Sequence, residues 1–213
     1  MEAGGWDVAR RTKEEAQETR GRILESALDI FCEKNFSNVS MTEIAESIGL
    51  TKGAVYWHFK SKNDILLQLI EEMCRQTERD FIDIYGIPES LEGLRLYYKS
   101  AIAHLSQDER YLKIHKLMFR RHEWPDDVQK RVSELVKKSI EREQKMLEML
   151  IAKEQSEGKI RKDVPPTVAS TVIGTVFRGI CLLQLSELLD EDFADHIDFL
   201  LDAFLGELKK GFK

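Results

Sequence analysis

Four helix-start signals fall between Thr12 and Asp64, a density that only short helices joined by tight turns can satisfy. Thr12-Lys-Glu-Glu15 and Ser40-Met-Thr-Glu43 have capping-box spacing, in which the hydroxyl accepts a free backbone N–H and the carboxylate three residues on reaches back. Thr51 caps a third helix from Lys52 to about His58, and Ser61-Lys-Asn-Asp64 caps a fourth that runs to Gly86. Gly49 stands where the second helix must end in left-handed backbone. Ile23, Leu24, Ala27, Ile30 and Phe31 give the first helix one apolar face, and Ile44, Ala45 and Ile48 do the same for the second.

Beyond this cluster the prolines fall at three places only, Pro88, Pro125 and Pro165-Pro166, which leaves long tracts free of the strongest helix breaker. The expectation is an all-α chain. Helices are predicted over Ser90 to about Ser106, Tyr111 to Arg121, Asp126 to Glu157 and Pro166 to Leu189. A last helix follows the acidic cap Asp190-Glu-Asp, with Phe193, Ile197, Leu200, Leu201, Phe204, Leu205 and Leu208 on one face. The tract from Val164 to Leu189 carries Arg178, Glu187 and several Ser and Thr, so it reads as a buried helix rather than a membrane span.

With 213 residues, the chain has room for one good-sized domain and a small one. The reading is an N-terminal arm over 1–11, a small domain over 12–62, a helix over 61–85 that joins the two, and a larger helical domain over 63–213. Cys32, Cys74 and Cys181 lack the paired spacing of a metal site, and the N-terminus holds acids and no apolar run, so a reduced, cytoplasmic chain is expected. No metal set, cofactor loop or catalytic constellation stands out; His104, His115 and His122 do not form a ligand set.

The two short helices around the Gly49-Leu50 turn have helix–turn–helix spacing. In the second of them Ala54, Val55 and Phe59 can face a core, leaving Thr51, Lys52, Gly53, Tyr56, Trp57, His58, Lys60 and Lys62 as surface candidates. From Ile48 to Lys62 there are three lysines and no acid, although the chain as a whole carries −6. Exposed Tyr and Trp beside lysines have no stability rationale, whereas a DNA groove explains them: lysines neutralise phosphates and Gly53 permits close approach. The residues alone leave alternatives open, with Tyr56 partly in the core, His58 a helix cap and Lys60 merely solvated. The charge divides as −1 over 1–62 and −5 over 63–213, so the acid sits mainly outside the basic stripe.

Thr-Lys-Gly-Ala-Val-Tyr-Trp-His-Phe-Lys-Ser-Lys over Thr51–Lys62, preceded by Met-Thr-Glu-Ile-Ala-Glu-Ser-Ile-Gly-Leu over Met41–Leu50, resembles the DNA-binding domain of the TetR family of transcriptional regulators. The resemblance spans 12 to about 70, and the lead-in from Arg10 and the Tyr-Trp-His-Phe string look most like its AcrR branch, which represses multidrug efflux genes. It implies a nine-helix fold, with the Lys52 helix in the major groove and Lys52, Gly53, Tyr56 and Trp57 near bases or backbone. It further implies that Ser40, Thr42, Tyr56, His58 and Lys62 touch phosphates.

The same resemblance implies a homodimer on a palindromic operator, released by a small hydrophobic or amphiphilic effector. Independently, the last two helices hold more apolar surface than one small bundle can bury, and Ser170, Gly174 and Gly179 would let a partner helix approach. An effector pocket between the middle helices, implied by the family, would draw on Tyr97, Tyr98, His104, His115, Met118, Phe119, Trp124, Phe177, Cys181 and Gln184. The alternative reading is a DNA-architectural protein of the same fold without an effector.

Overall fold

The computed structural model describes residues 4–105, 107–185 and 197–209. Among them it has α1 (Gly4–Glu33), α2 (Met41–Ser47), α3 (Lys52–His58), α4 (Lys62–Tyr85), α5 (Leu91–Leu105), α6 (Glu109–Phe119), α7 (Asp126–Ser156), α8 (Pro166–Leu185) and α9 (Ile197–Lys209), with 3-10 turns at Phe36–Asn38 and Arg121–Glu123. The described residues contain no strand. The chain is therefore all-α, as the pattern of starts and prolines implies.

The starts behave largely as read. Ser40 Oγ accepts from the Glu43 N–H at 3.1 Å, Thr51 Oγ1 from Ala54 N–H at 3.2 Å and Ser61 Oγ from Asp64 N–H at 3.2 Å. Asp64 reaches back one residue beyond the cap, accepting from the Lys60 N–H at 2.9 Å. Gly49, Gly86 and Gly158 all have φ near +70°, which lets a helix end in a turn without a Cβ clash. Two boundaries differ. α1 begins at Gly4, upstream of Thr12, so residues assigned to an arm are helical; nothing between Trp6 and Thr12 breaks a helix, and a capping box starts one only where the preceding chain leaves it. α6 begins at Glu109 because Asp108 Oδ1 caps it, accepting from Tyr111 N–H at 2.9 Å. The acidic cap at Asp190 and Phe193 lies outside the described residues, as do the side chains of His104, Leu200, Leu201 and Phe204.

The chain forms two compact units, Met1–Glu72 with Leu117–Val132, and Met73–Lys116 with Ser133–Lys213. α4, α6 and α7 each run from one unit into the other, so three covalent helices join them. In the first unit Ile23, Leu24, Ala27 and Phe31 of α1, Ile44 and Ala45 of α2, Val55 and Phe59 around α3, and Ile65, Leu66, Leu69 and Ile70 of α4 are buried. Arg120 ties the returning segment to the end of α1, donating to Cys32 O at 3.2 Å and Asn35 Oδ1 at 2.6 Å while Glu123 holds its guanidinium. A guanidinium on the last carbonyls of a helix satisfies acceptors that have no partner within it.

In the second unit Leu94, Tyr98 and Ile102 of α5 pack with Leu147, Leu150 and Ile151 of α7, Ala169, Ile173 and Ile180 of α8, and Leu205 and Leu208 of α9. Arg95 of α5 pairs with Asp202 of α9 at 2.8 Å, and Lys99 pairs with Asp198. α8 is not buried all round. Its 166–184 stretch is long and apolar enough to cross a membrane by length and composition, but Ile173 and Ile180 face the core while Val168, Val172, Leu182 and Leu183 are exposed. An all-round apolar helix in a single chain is covered only on the side where its own neighbours lie.

Candidate functional site

α3 is built so that one side holds it and the other is free. Val55 and Phe59 are buried, Ala54 is half-buried, and Thr51, Lys52, Gly53, Tyr56, Trp57 and Lys60 are exposed. Trp57 is 74% exposed and Tyr56 47%, although burying such a ring is worth roughly 1.5–3 kcal/mol. Lys52 Nζ lies 5.7 Å from the centre of the Tyr56 ring, and Trp57 meets His58 edge-on at 4.5 Å. His58 is half-buried; burial first, and the nearby Arg20 second, lower its pKa, so the imidazole is neutral at physiological pH.

A Cβ on Gly53 would meet nothing closer than Thr51 Oγ1, at 3.9 Å. Nothing inside the chain requires glycine at this early helical position, where it costs about 1 kcal/mol relative to alanine. Ser40 and Thr51 already use their hydroxyl oxygens to cap α2 and α3, which leaves each O–H free to donate outward. Thr42, in the first turn of α2, is half-buried.

Arginines hold these helices from behind. Arg20 of α1 donates to Glu72 at 2.7 Å and to Gln68, both on α4, with its guanidinium 5.4 Å from the Phe59 ring. Arg22 donates to Ile48 O at 3.1 Å, satisfying the end of α2. Sequence reading missed both, because their partners lie far along the chain and no local period marks them.

The second unit brings together part of the expected effector set. Tyr98 of α5 stacks on Phe177 of α8 with centroids 4.1 Å apart, and Tyr97, Tyr111, Phe177 and Cys181 pack around the buried Ala101. Beside them Arg178 donates to Glu143 at 2.7 Å and the Tyr98 hydroxyl to the same carboxylate at 3.3 Å. Burial raises the Glu143 pKa against the opposing pull of Arg178, and pushes the Cys181 thiol up to about 12. His115 lies tilted against Tyr111 with ring centres 4.2 Å apart; its Nε2 is buried without a hydrogen-bond partner, and burial lowers its pKa to about 4. Gln184 is half-buried near the end of α8.

Met118, Phe119 and Trp124 fall in the first unit, where Trp124 is buried and Phe119 exposed. Ser170 and Gly174, expected to admit a partner helix, face inward: Ser170 is buried and donates to Thr167 O, and Gly174 lies under the Arg178 guanidinium. Gly179 has open space where a Cβ would be.

Residues 23–69 match the family model "Bacterial regulatory proteins, tetR family". Over 107 residues the chain is 35% identical to the uncharacterized HTH-type transcriptional regulator TtgW of Pseudomonas putida, covering 50% of this chain and 79% of that protein. The chain belongs to the TetR family. Within it the sequence is AcrR-like: 64 residues are 50% identical to the HTH-type transcriptional regulator AcrR of Shigella flexneri, over 30% of each chain. The match spans about half the length of another curated relative, and less of AcrR. The likeness of fold extends over most of the chain: NalD, the secondary repressor of the MexAB-OprM multidrug efflux pump in Pseudomonas aeruginosa, superposes with a TM-score of 0.74 at 23% identity, over 92% of this chain and 100% of that one. These relatives are regulators, and the chain is not read as an enzyme.

Proposed function

We propose that the protein is a cytoplasmic, homodimeric transcriptional repressor that binds a palindromic operator through α3 and is released by a small hydrophobic or amphiphilic effector. The exposed face of α3 carries this reading. Tyr56 and Trp57 stand in solvent beside Lys52 and Lys60, and among the described residues only Thr51 Oγ1, at 3.9 Å, comes near the place a Cβ on Gly53 would take. A major groove uses each of these: the lysines for phosphates, the rings for sugar and base edges, and the glycine for close approach of backbone to backbone.

The uncovered side of α8, with Val168, Val172, Leu182 and Leu183, and Phe199 of α9 at 72% exposure, supports a second copy as partner. Two-fold pairing of such faces makes a four-helix interface and sets two copies of α3 against two half-sites. The aromatic cluster around Ala101, with one internally paired acid and base, suits a largely apolar effector. NalD, a secondary repressor of an efflux pump, makes efflux genes the first target to test.

The experiment is a mobility-shift assay on the chain's own upstream region with and without candidate drugs. Sequence-selective retardation that a drug reverses supports the reading; retardation of all fragments alike, unmoved by any drug, sinks it.

A further inference from the structure

Lys62 is the first residue of α4, where a cation opposes the helix dipole and gains nothing from the helix itself. Its ammonium instead donates to three backbone carbonyls of the turn between α1 and α2: Phe36 O at 2.6 Å, Ser37 O at 2.9 Å and Val39 O at 2.9 Å. An ammonium has three N–H groups, and all three are used. The same Nζ lies 4.8 Å from the centre of the Phe36 ring, itself buried and packed on Phe31 at 5.1 Å. Partial burial lowers the Lys62 pKa.

We propose that Lys62 is a positioning residue for the DNA-binding face and not a phosphate ligand. The three carbonyls it gathers immediately precede Ser40, the cap of α2, so the clamp fixes where α2 begins. α2 in turn sets α3 through the Gly49 turn, and α4 starts at the clamp itself. One side chain thus ties the entry of α2 to the start of α4, on either side of α3. To reach a phosphate, Lys62 would have to abandon all three carbonyls at once. The cations of the stripe that face outward are then Lys52 and Lys60.

The role of the clamp rests on the DNA-binding reading of α3, and charge-keeping substitution separates the two ideas. A phosphate ligand tolerates arginine; a tripod of carbonyls does not, because a planar guanidinium cannot point three donors at one small ring of acceptors. The test measures binding of Lys62→Arg, Lys62→Gln and Lys52→Gln to the upstream DNA by fluorescence anisotropy across a salt series. Amide hydrogen exchange over residues 37–44 is followed in parallel.

With the clamp, Lys62→Arg and Lys62→Gln both lose affinity, by about tenfold, with the wild-type salt slope, and exchange over 37–44 quickens. Lys52→Gln flattens the slope by about one ion and leaves exchange unchanged. The clamp is overturned if Lys62→Arg binds as wild type, or if Lys62→Gln flattens the slope by about one ion without altering exchange. If wild-type protein binds no DNA, the DNA-binding reading fails, while the exchange data still report on the clamp.

Discussion

The Arg178 guanidinium reaches Glu143 at 2.7 Å across 35 residues of sequence, joining α8 to α7 inside an otherwise apolar cluster. Removing one partner leaves the other charge stranded. Arg178→Met should lower stability by about 1–3 kcal/mol, less than for a fully buried pair because both side chains retain some exposure. Burial raises the Glu143 pKa in the folded chain, and loss of Arg178 raises it further. A folded-state carboxyl above its unfolded value gives stability that is present at low pH and lost as pH rises through the folded pKa. Thermal melts should therefore show the variant close to wild type near pH 4 and well below it at pH 8. An equal deficit at both would contradict the pairing.

Gly174 and Arg178 are coupled by space. A Cβ at 174 would sit 2.9 Å from both Nη1 and Nη2 of Arg178, so alanine must push the guanidinium off its seat. In Arg178→Met, Gly174→Ala should stabilise by about 0.5–1 kcal/mol, the usual gain for alanine over glycine within a helix. In the wild type that gain should vanish or reverse. A double-mutant cycle by chemical denaturation reads the difference, and additivity would show that the guanidinium has another seat.

His115 should make the wild type acid-sensitive. Its folded pKa of about 4 lies below the unfolded value of roughly 6.5, so the unfolded chain binds more protons in that window and stability falls as pH drops through it. His115→Leu removes both the titration and an unpartnered buried nitrogen. Melting temperature between pH 6.5 and 4 should decline less steeply in the variant; parallel declines would place the acid sensitivity elsewhere.

Local chemistry made the DNA-binding half legible in the sequence. Ser40, Thr51, Ser61 and Gly49 act within a few residues of themselves, and the alternation of Val55 and Phe59 with Tyr56 and Trp57 follows from the helical period. What stayed hidden is long-range. Lys62 reads in the sequence as a phosphate-touching lysine of the basic stripe, because its carbonyl partners lie 23 to 26 residues away. Arg178 did carry a signal, since a cation on an apolar helix demands an acid, but nothing local identified Glu143. Which side of α8 its own chain covers is likewise set by tertiary packing, so Gly174 and Gly179 could not be told apart by sequence.

The exposed stripe of α8 predicts its own disruption. Leu182→Glu places a charge on the apolar face at a position 48% exposed in one chain, so the isolated subunit should tolerate it. Sedimentation should find wild type at twice 24.7 kDa and the variant at 24.7 kDa, with affinity for a palindromic site reduced in step. A variant that remains dimeric would move the interface elsewhere.

The most direct test of the central claim is the binding of labelled DNA to wild type, Tyr56→Ala and Trp57→Ala, comparing the upstream region with a scrambled fragment across a salt series. Both rings are exposed, so the variants should fold and melt as wild type does. Wild type should prefer the upstream fragment, its log affinity should fall linearly with log salt, and each variant should lose at least about tenfold on that fragment. Equal affinity for both fragments, unmoved by either substitution, would contradict that claim.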